Sequence, residues 1–142
     1  MNEWQALAKQ HFPELGDRIE HIESRADLYL CLHDLLRVAF AAKDEAAIRK
    51  VIEFMARGLR QSAADEGWLH STQHVLRAVM QSPSERAALL PHLTQSEFDE
   101  FRRVFPLFAS EKEIRELENE YRFTKKPNNT VHRTRAKPGA RR

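Results

Sequence analysis

Apolar residues recur at three- and four-residue spacing from Trp4 to Tyr121, and that period admits helices and little else. A sheet needs apolar alternation at every second position and frequent turn residues, yet the chain holds only 4 Gly and 6 Pro in 142 residues. The expected fold class is all-α: a compact helical bundle or a short HEAT-like stack of helical hairpins.

The helices can be placed from their stripes and their caps. Trp4, Leu7, Ala8 and His11 share one face of a short first helix, which Pro13 interrupts. Leu15, Ile19 and Ile22 form a second short stripe. Ser24 to Asp27 supplies the oxygens that start a helix over 26–42. Its two apolar seams, Leu28-Cys31-Leu32-Leu35-Ala39 and Tyr29-Leu36-Phe40, leave only a narrow polar strip of His33, Asp34 and Arg37, the pattern of a central helix. Lys43-Asp44 breaks the chain. Helix 45–61 follows with Ile48, Val51, Ile52, Met55 and Leu59 on one face, and the short link makes it an antiparallel neighbour. Helix 64–81 carries Trp68, Leu69, Val75, Leu76 and Val79. Ser82-Pro83-Ser84-Glu85 and Thr94-Gln95-Ser96-Glu97 both read as helix starts, and Ser110 opens a last helix with a thin stripe of Ile114, Leu117 and Tyr121. The pairs 26–42/45–61 and 64–81/83–93 look like consecutive hairpins with a spacing of about 38 residues, a length typical of helical repeats.

Charge divides the chain more sharply than its overall net of +2 suggests. Residues 1–123 carry 16 Lys and Arg against 21 Asp and Glu, a net of −5, and are expected to form one helical domain. Residues 124–142 carry Lys125, Lys126, Arg133, Arg135, Lys137, Arg141 and Arg142 with no acid, a net of +7. Such a stretch buries too little apolar surface to fold alone, and a disordered basic tail is expected. Its cations suit nucleic-acid phosphates or an anionic membrane surface. The only aromatic ring there is His132, so stacking on bases is poorly served.

Several classes of function find no support. No apolar run is long enough to span a bilayer, and Met1-Asn2-Glu3-Trp4 lacks the regions of a signal peptide. A single cysteine, Cys31, makes no internal disulfide, so a cytoplasmic protein is expected. His70 and His74 share a helical face, but the run His-Ser-Thr-Gln-His lacks the glutamate of a zinc hydrolase and Arg77 follows one turn later. A polar solvent face is the simpler reading. His33 and Asp34 diverge on a helix because they are adjacent in sequence. Cys31 sits in the most apolar helix with no basic neighbour in sequence and reads as core, as do Trp4 and Trp68. No phosphate loop, nucleophile elbow, CxxC pair or HExxH motif appears. The chain is therefore read as a non-enzyme, with no catalytic, cofactor or metal residue assigned.

Residues 97–120 hold eight acids against four bases, a local net of −4. Part of this is an ordinary solvated helix face with i, i+4 pairs such as Glu111 with Arg115 and Glu118 with Arg122. The sharper expectation is an acidic surface for a basic protein partner, using Glu111, Glu113, Glu116 and Glu118. Between the two acidic stretches, Phe105-Pro106-Leu107-Phe108 reads first as a packed helix junction and second as an interface anchor through Phe105 and Phe108.

Phe12-Pro13-Glu14-Leu15 after a short first helix, Ala42-Lys43-Asp44-Glu45, and Ile48-Arg49-Lys50-Val51-Ile52-Glu53-Phe54 together resemble a group of small bacterial all-helical proteins with an FPEL-type start and a HEAT-like body. The resemblance covers roughly residues 4–105. Members of the group are similar to immunity proteins encoded beside bacterial toxins. The resemblance implies a non-catalytic module that neutralises a cognate toxin by steric and electrostatic blockage, with no catalytic residues to transfer. The alternative is a nucleic-acid-associated accessory protein that uses the basic tail.

Overall fold

The computed structural model describes residues 2–125, which form eight α-helices and no strand. Helix α1 spans Glu3–His11. Asn2 caps it reciprocally: its side chain accepts from Gln5 N–H, and the Gln5 side chain accepts from Asn2 N–H, each at 3.0 Å. A 3-10 turn over Pro13–Leu15 leads into α2, Gly16–Glu20. Gln5 Nε2 donates to the carbonyls of Ile19 and Ile22 at 3.3 and 3.0 Å, so one amide ties α1 to the end of α2.

Helix α3 runs Arg25–Ala42 from an N-cap at Ser24, and α4 runs Glu45–Arg60 from an N-cap at Asp44. The tight link between them needs a left-handed residue, and Lys43 adopts it at φ 55°. Helix α5 spans Gly67–Met80. It starts three residues later than the periodicity predicts, because the chain turns after Gln61 and Asp65 Oδ1 accepts from Gly67 N–H at 3.0 Å. Helix α6 is the short Pro83–Leu89, continued by a 3-10 turn at Leu90–His92, so the second hairpin has one abbreviated arm. Helix α7, Gln95–Arg102, ends before buried Val104 and Phe105, and Phe105 packs from a 3-10 turn over Phe105–Leu107 instead. Helix α8 covers Glu111–Lys125, two residues past the expected edge of the helical domain.

The chain separates into two compact units, Met1–Phe108 and the segment beginning at Ala109. In the first unit α3, α4 and α5 pack on one another. Phe54 of α4 sits at the centre of this seam. Its ring centroid lies 5.6 Å from Phe12, 5.9 Å from Trp68 and 6.0 Å from Tyr29, and all four rings are buried. Each buried large apolar side chain contributes about 1.5–3 kcal/mol relative to leaving it in water. The close approach of α4 to α5 rests on Gly58. A Cβ there would stand 2.5 Å from Trp68 Cε3 and 2.9 Å from Tyr29 Oη. Burial pushes the Tyr29 phenol up to about 12, against the opposing influence of Thr72 and Arg25.

Candidate functional site

Helices α3 and α5 face each other through Ala26, Tyr29, Leu30 and His33 on one side and Ser71, His74, Val75 and Ala78 on the other. Both sets follow helical spacing, so each forms a stripe. Ala26, Ser71 and Ala78 are too small to fill the space between them, and an open groove of about 360 Å³ remains. Leu30, outside both apolar seams of α3, is 60% exposed beside it. Val38, two turns further along α3, is also exposed.

His33 is buried, and its Nε2 lies 2.8 Å from Glu85 Oε1 on α6. Arg37 Nε donates to the other Glu85 oxygen at 3.4 Å. The acid beside His33 is thus a residue 52 positions away, while Asp34 points to solvent. Sequence reading missed this bond because Glu85 looked like a purely local capping residue. His70 and His74 are both exposed, and only His74 lines the groove. Among the described residues no group of three or more His, Cys, Asp or Glu side chains is placed to hold a metal ion.

Cys31 departs from the core reading. It is half-buried, and Arg18 Nη2 donates to its Sγ at 3.2 Å. The basic neighbour comes from α2 and is invisible in the local sequence. At the start of α3, Arg25 lies 4.8 Å over the Trp68 ring and donates to Asp65 Oδ2 at 2.8 Å. That hydrogen bond, helped by Gly67 N–H, holds the Asp65 carboxyl below its usual range.

A second polar cluster joins α4 to α7. Arg49 donates from Nη1 to Glu97 Oε1 at 2.6 Å and to His92 O at 2.7 Å, and from Nη2 to Glu97 Oε2 at 2.8 Å. Its Nη2 also reaches Glu53 at 3.1 Å. Burial opposes ionisation of Glu97, but Arg49 and the Thr94 N–H outweigh it and hold the carboxyl below its usual range. Glu97 in turn raises the Arg49 guanidinium further above the range in which it titrates. Every side chain in this cluster is engaged with another, which suits a brace between helices rather than a reacting group.

The acidic residues singled out for partner contact lie on α8. Glu111, Glu113 and Glu116 are exposed, and Glu118 is half-buried. Relative to the apolar stripe Ile114, Leu117 and Tyr121, the pair Glu111 and Glu118 falls on one flank and Glu113 and Glu116 on the other. Glu113 also accepts from Ser110 N–H at 2.8 Å while Ser110 Oγ accepts from Glu113 N–H at 3.2 Å. The Ser110 N–H, assisted by the Ser110 side chain, holds the Glu113 carboxyl below its usual range. Phe123, near the end of the helix, is 71% exposed.

Of the two readings of Phe105-Pro106-Leu107-Phe108, the packed junction describes Phe105, which is not available as an anchor. Phe105 is fully buried, with its ring edge-on to both Phe98 and Phe108 at 5.9 Å. Phe108 is half-buried. The exposed apolar side chain of that segment is Leu107, at 50%. Phe105 follows the inward face that Phe98 and Phe101 begin, and the 3-10 turn carries that face past the end of α7. Of the basic residues, Lys125 closes α8 with its Nζ 5.6 Å from the Tyr121 ring centroid. Lys126, Arg133, Arg135, Lys137, Arg141 and Arg142, with the tail they define, lie outside the described residues.

Among the described residues no helix is long and apolar enough to cross a membrane. Compared with protein-family models, curated proteins and solved structures, the chain finds no match.

Proposed function

We propose that this chain is a non-catalytic protein-binding module whose acidic helix α8 engages a basic partner. Its most specific form is an immunity protein that covers the active surface of a cognate toxin. The observation that supports this most is the exposure of Glu111 and Glu116 on opposite flanks of α8, where neither is used to build the helix start. Exposed like charges of this kind accelerate encounter with an oppositely charged surface and discourage wrong partners. The resemblance in residues 4–105 adds the toxin context, and the consecutive hairpins α3/α4 and α5/α6 are what the HEAT-like reading rests on.

The test is growth of cells that express the protein encoded by the adjacent gene, with and without this chain. Relief of toxicity that is lost with Glu111→Lys/Glu116→Lys, in a variant with unchanged circular dichroism, is the expected result. Full relief by that variant would remove α8 from the interface, and a harmless neighbour would remove the immunity reading.

The seven cations from Lys125 to Arg142 favour a second reading, nucleic-acid association. Under it, deletion of residues 124–142 abolishes a gel shift at low salt.

A further inference from the structure

The space between α3 and α5 is one that the protein's own side chains leave unfilled. Its volume of about 360 Å³ falls within the range used by small-molecule sites, roughly 300–1,000 Å³. Tyr29, Leu30, Val75 and Ala78 give it apolar walls, and Ser71, His33 and His74 bring polar side chains to the same place. Mostly apolar walls with a few convergent polar groups are the usual make-up of a ligand site. Walls of this kind disfavour a sugar or a bare ion, whose polar groups would lose water without enough partners in return.

The polar side chains also limit what the guest can carry. The Glu85 carboxylate next to His33 is met by His33 and by Arg37, so its charge is answered within the protein. The His74 imidazole is exposed at the groove, and both it and the Ser71 hydroxyl can donate hydrogen bonds. Leu30, more than half exposed, gains burial from any apolar body laid against it.

We infer that this groove binds a small amphiphile, with its apolar body against Leu30, Val75 and Ala78 and one hydrogen-bond acceptor group at His74 and Ser71.

The experiment titrates the full chain with anilinonaphthalene sulfonate, read by dye fluorescence and by methyl NMR. The expected result is saturable one-to-one binding that moves the Leu30 and Val75 methyl signals. Ala78→Phe, which fills the groove, lowers affinity by about tenfold or more, and His74→Ala, which removes a donor, by about threefold to tenfold. Arg103→Ala, away from the groove, leaves affinity unchanged. Equal binding by a folded Ala78→Phe variant, methyl shifts that bypass Leu30 and Val75, or fluorescence that never saturates overturns the inference. Should Ala78→Phe fail to fold, the methyl shifts of the unsubstituted chain and the exposed His74→Ala substitution decide the matter by themselves.

Discussion

At the start of α7 the Glu97 carboxylate accepts from Thr94 N–H at 2.9 Å and also receives Arg49 from α4, whereas at the start of α6 the Glu85 carboxylate reaches over to His33 and Arg37 on α3. Both helices begin with the same kind of step. Thr94 Oγ1 accepts from Glu97 N–H at 3.1 Å, and Ser82 Oγ accepts from Glu85 N–H at 3.4 Å. The third residue of each helix then faces a choice between closing the local box and bonding a distant helix. Glu97 does both because its two oxygens serve Thr94 and Arg49 together. Glu85 is committed to α3, and the short helix α6 is held in place through that bond. A capping glutamate can therefore be a tertiary brace as well as a local stop.

The comparison is tested most severely at Glu97. Glu97→Ala removes the bidentate Arg49 bond and opens the Thr94 box in one step. Arg49 is about one-third exposed and recovers some hydration, so the expected loss is about 2–3 kcal/mol, read from chemical denaturation. The pH dependence has a definite sign. Because the folded Glu97 carboxyl sits below its unfolded value, its contribution is present above the unfolded pKa, about 4.3, and fades as pH falls through the folded one. The gap between the parent protein and the variant should narrow in acid. A gap of constant size from pH 7 to pH 3 would mean that the Arg49 bond is energetically idle.

These braces also mark how far the sequence can be read. The caps at Ser24, Asp44, Ser82 and Thr94 are local, and all four accept the backbone bond expected of them. The apolar stripes likewise place Leu28, Ile52, Trp68 and Val79 in the interior. The bonds Arg49–Glu97 and His33–Glu85 span 48 and 52 residues, and no periodicity pairs residues at that range. The α3–α5 groove was hidden for the same reason. Ala26, Ser71 and Ala78 are unremarkable one by one, and only the facing of two helices makes their small size matter. The packed junction at Phe105 was legible in the apolar spacing, but the local form was not: its helix has already ended, and its inward direction comes from a 3-10 turn rather than from α7.

Glu85 should matter less than Glu97. Glu85→Ala leaves Arg37, already mostly exposed, free to return to water, but it strips buried His33 of its partner. The expected cost is about 1–2 kcal/mol, nearly all of it through His33. A double-mutant cycle with His33→Ala separates the bond from the loss of side-chain packing. A coupling close to zero would show that Glu85 serves the α6 start and nothing more distant.

The smallest effect belongs to the third motif of this kind, at the start of α8, where the box is closed and both partners are exposed. Ser110 and Glu113 satisfy each other's backbone donors, and both bonds join neighbours three residues apart within one turn. Glu113→Ala should therefore shift the midpoint of unfolding less than either Glu85→Ala or Glu97→Ala. Its trace should appear instead as faster amide exchange in the first turn of α8, where the unsatisfied donors return to water. A loss of stability as large as that of Glu97→Ala would show that the start of α8 is braced as firmly as the start of α7. In that case exposure and local bonding alone would not predict what a capping glutamate is worth.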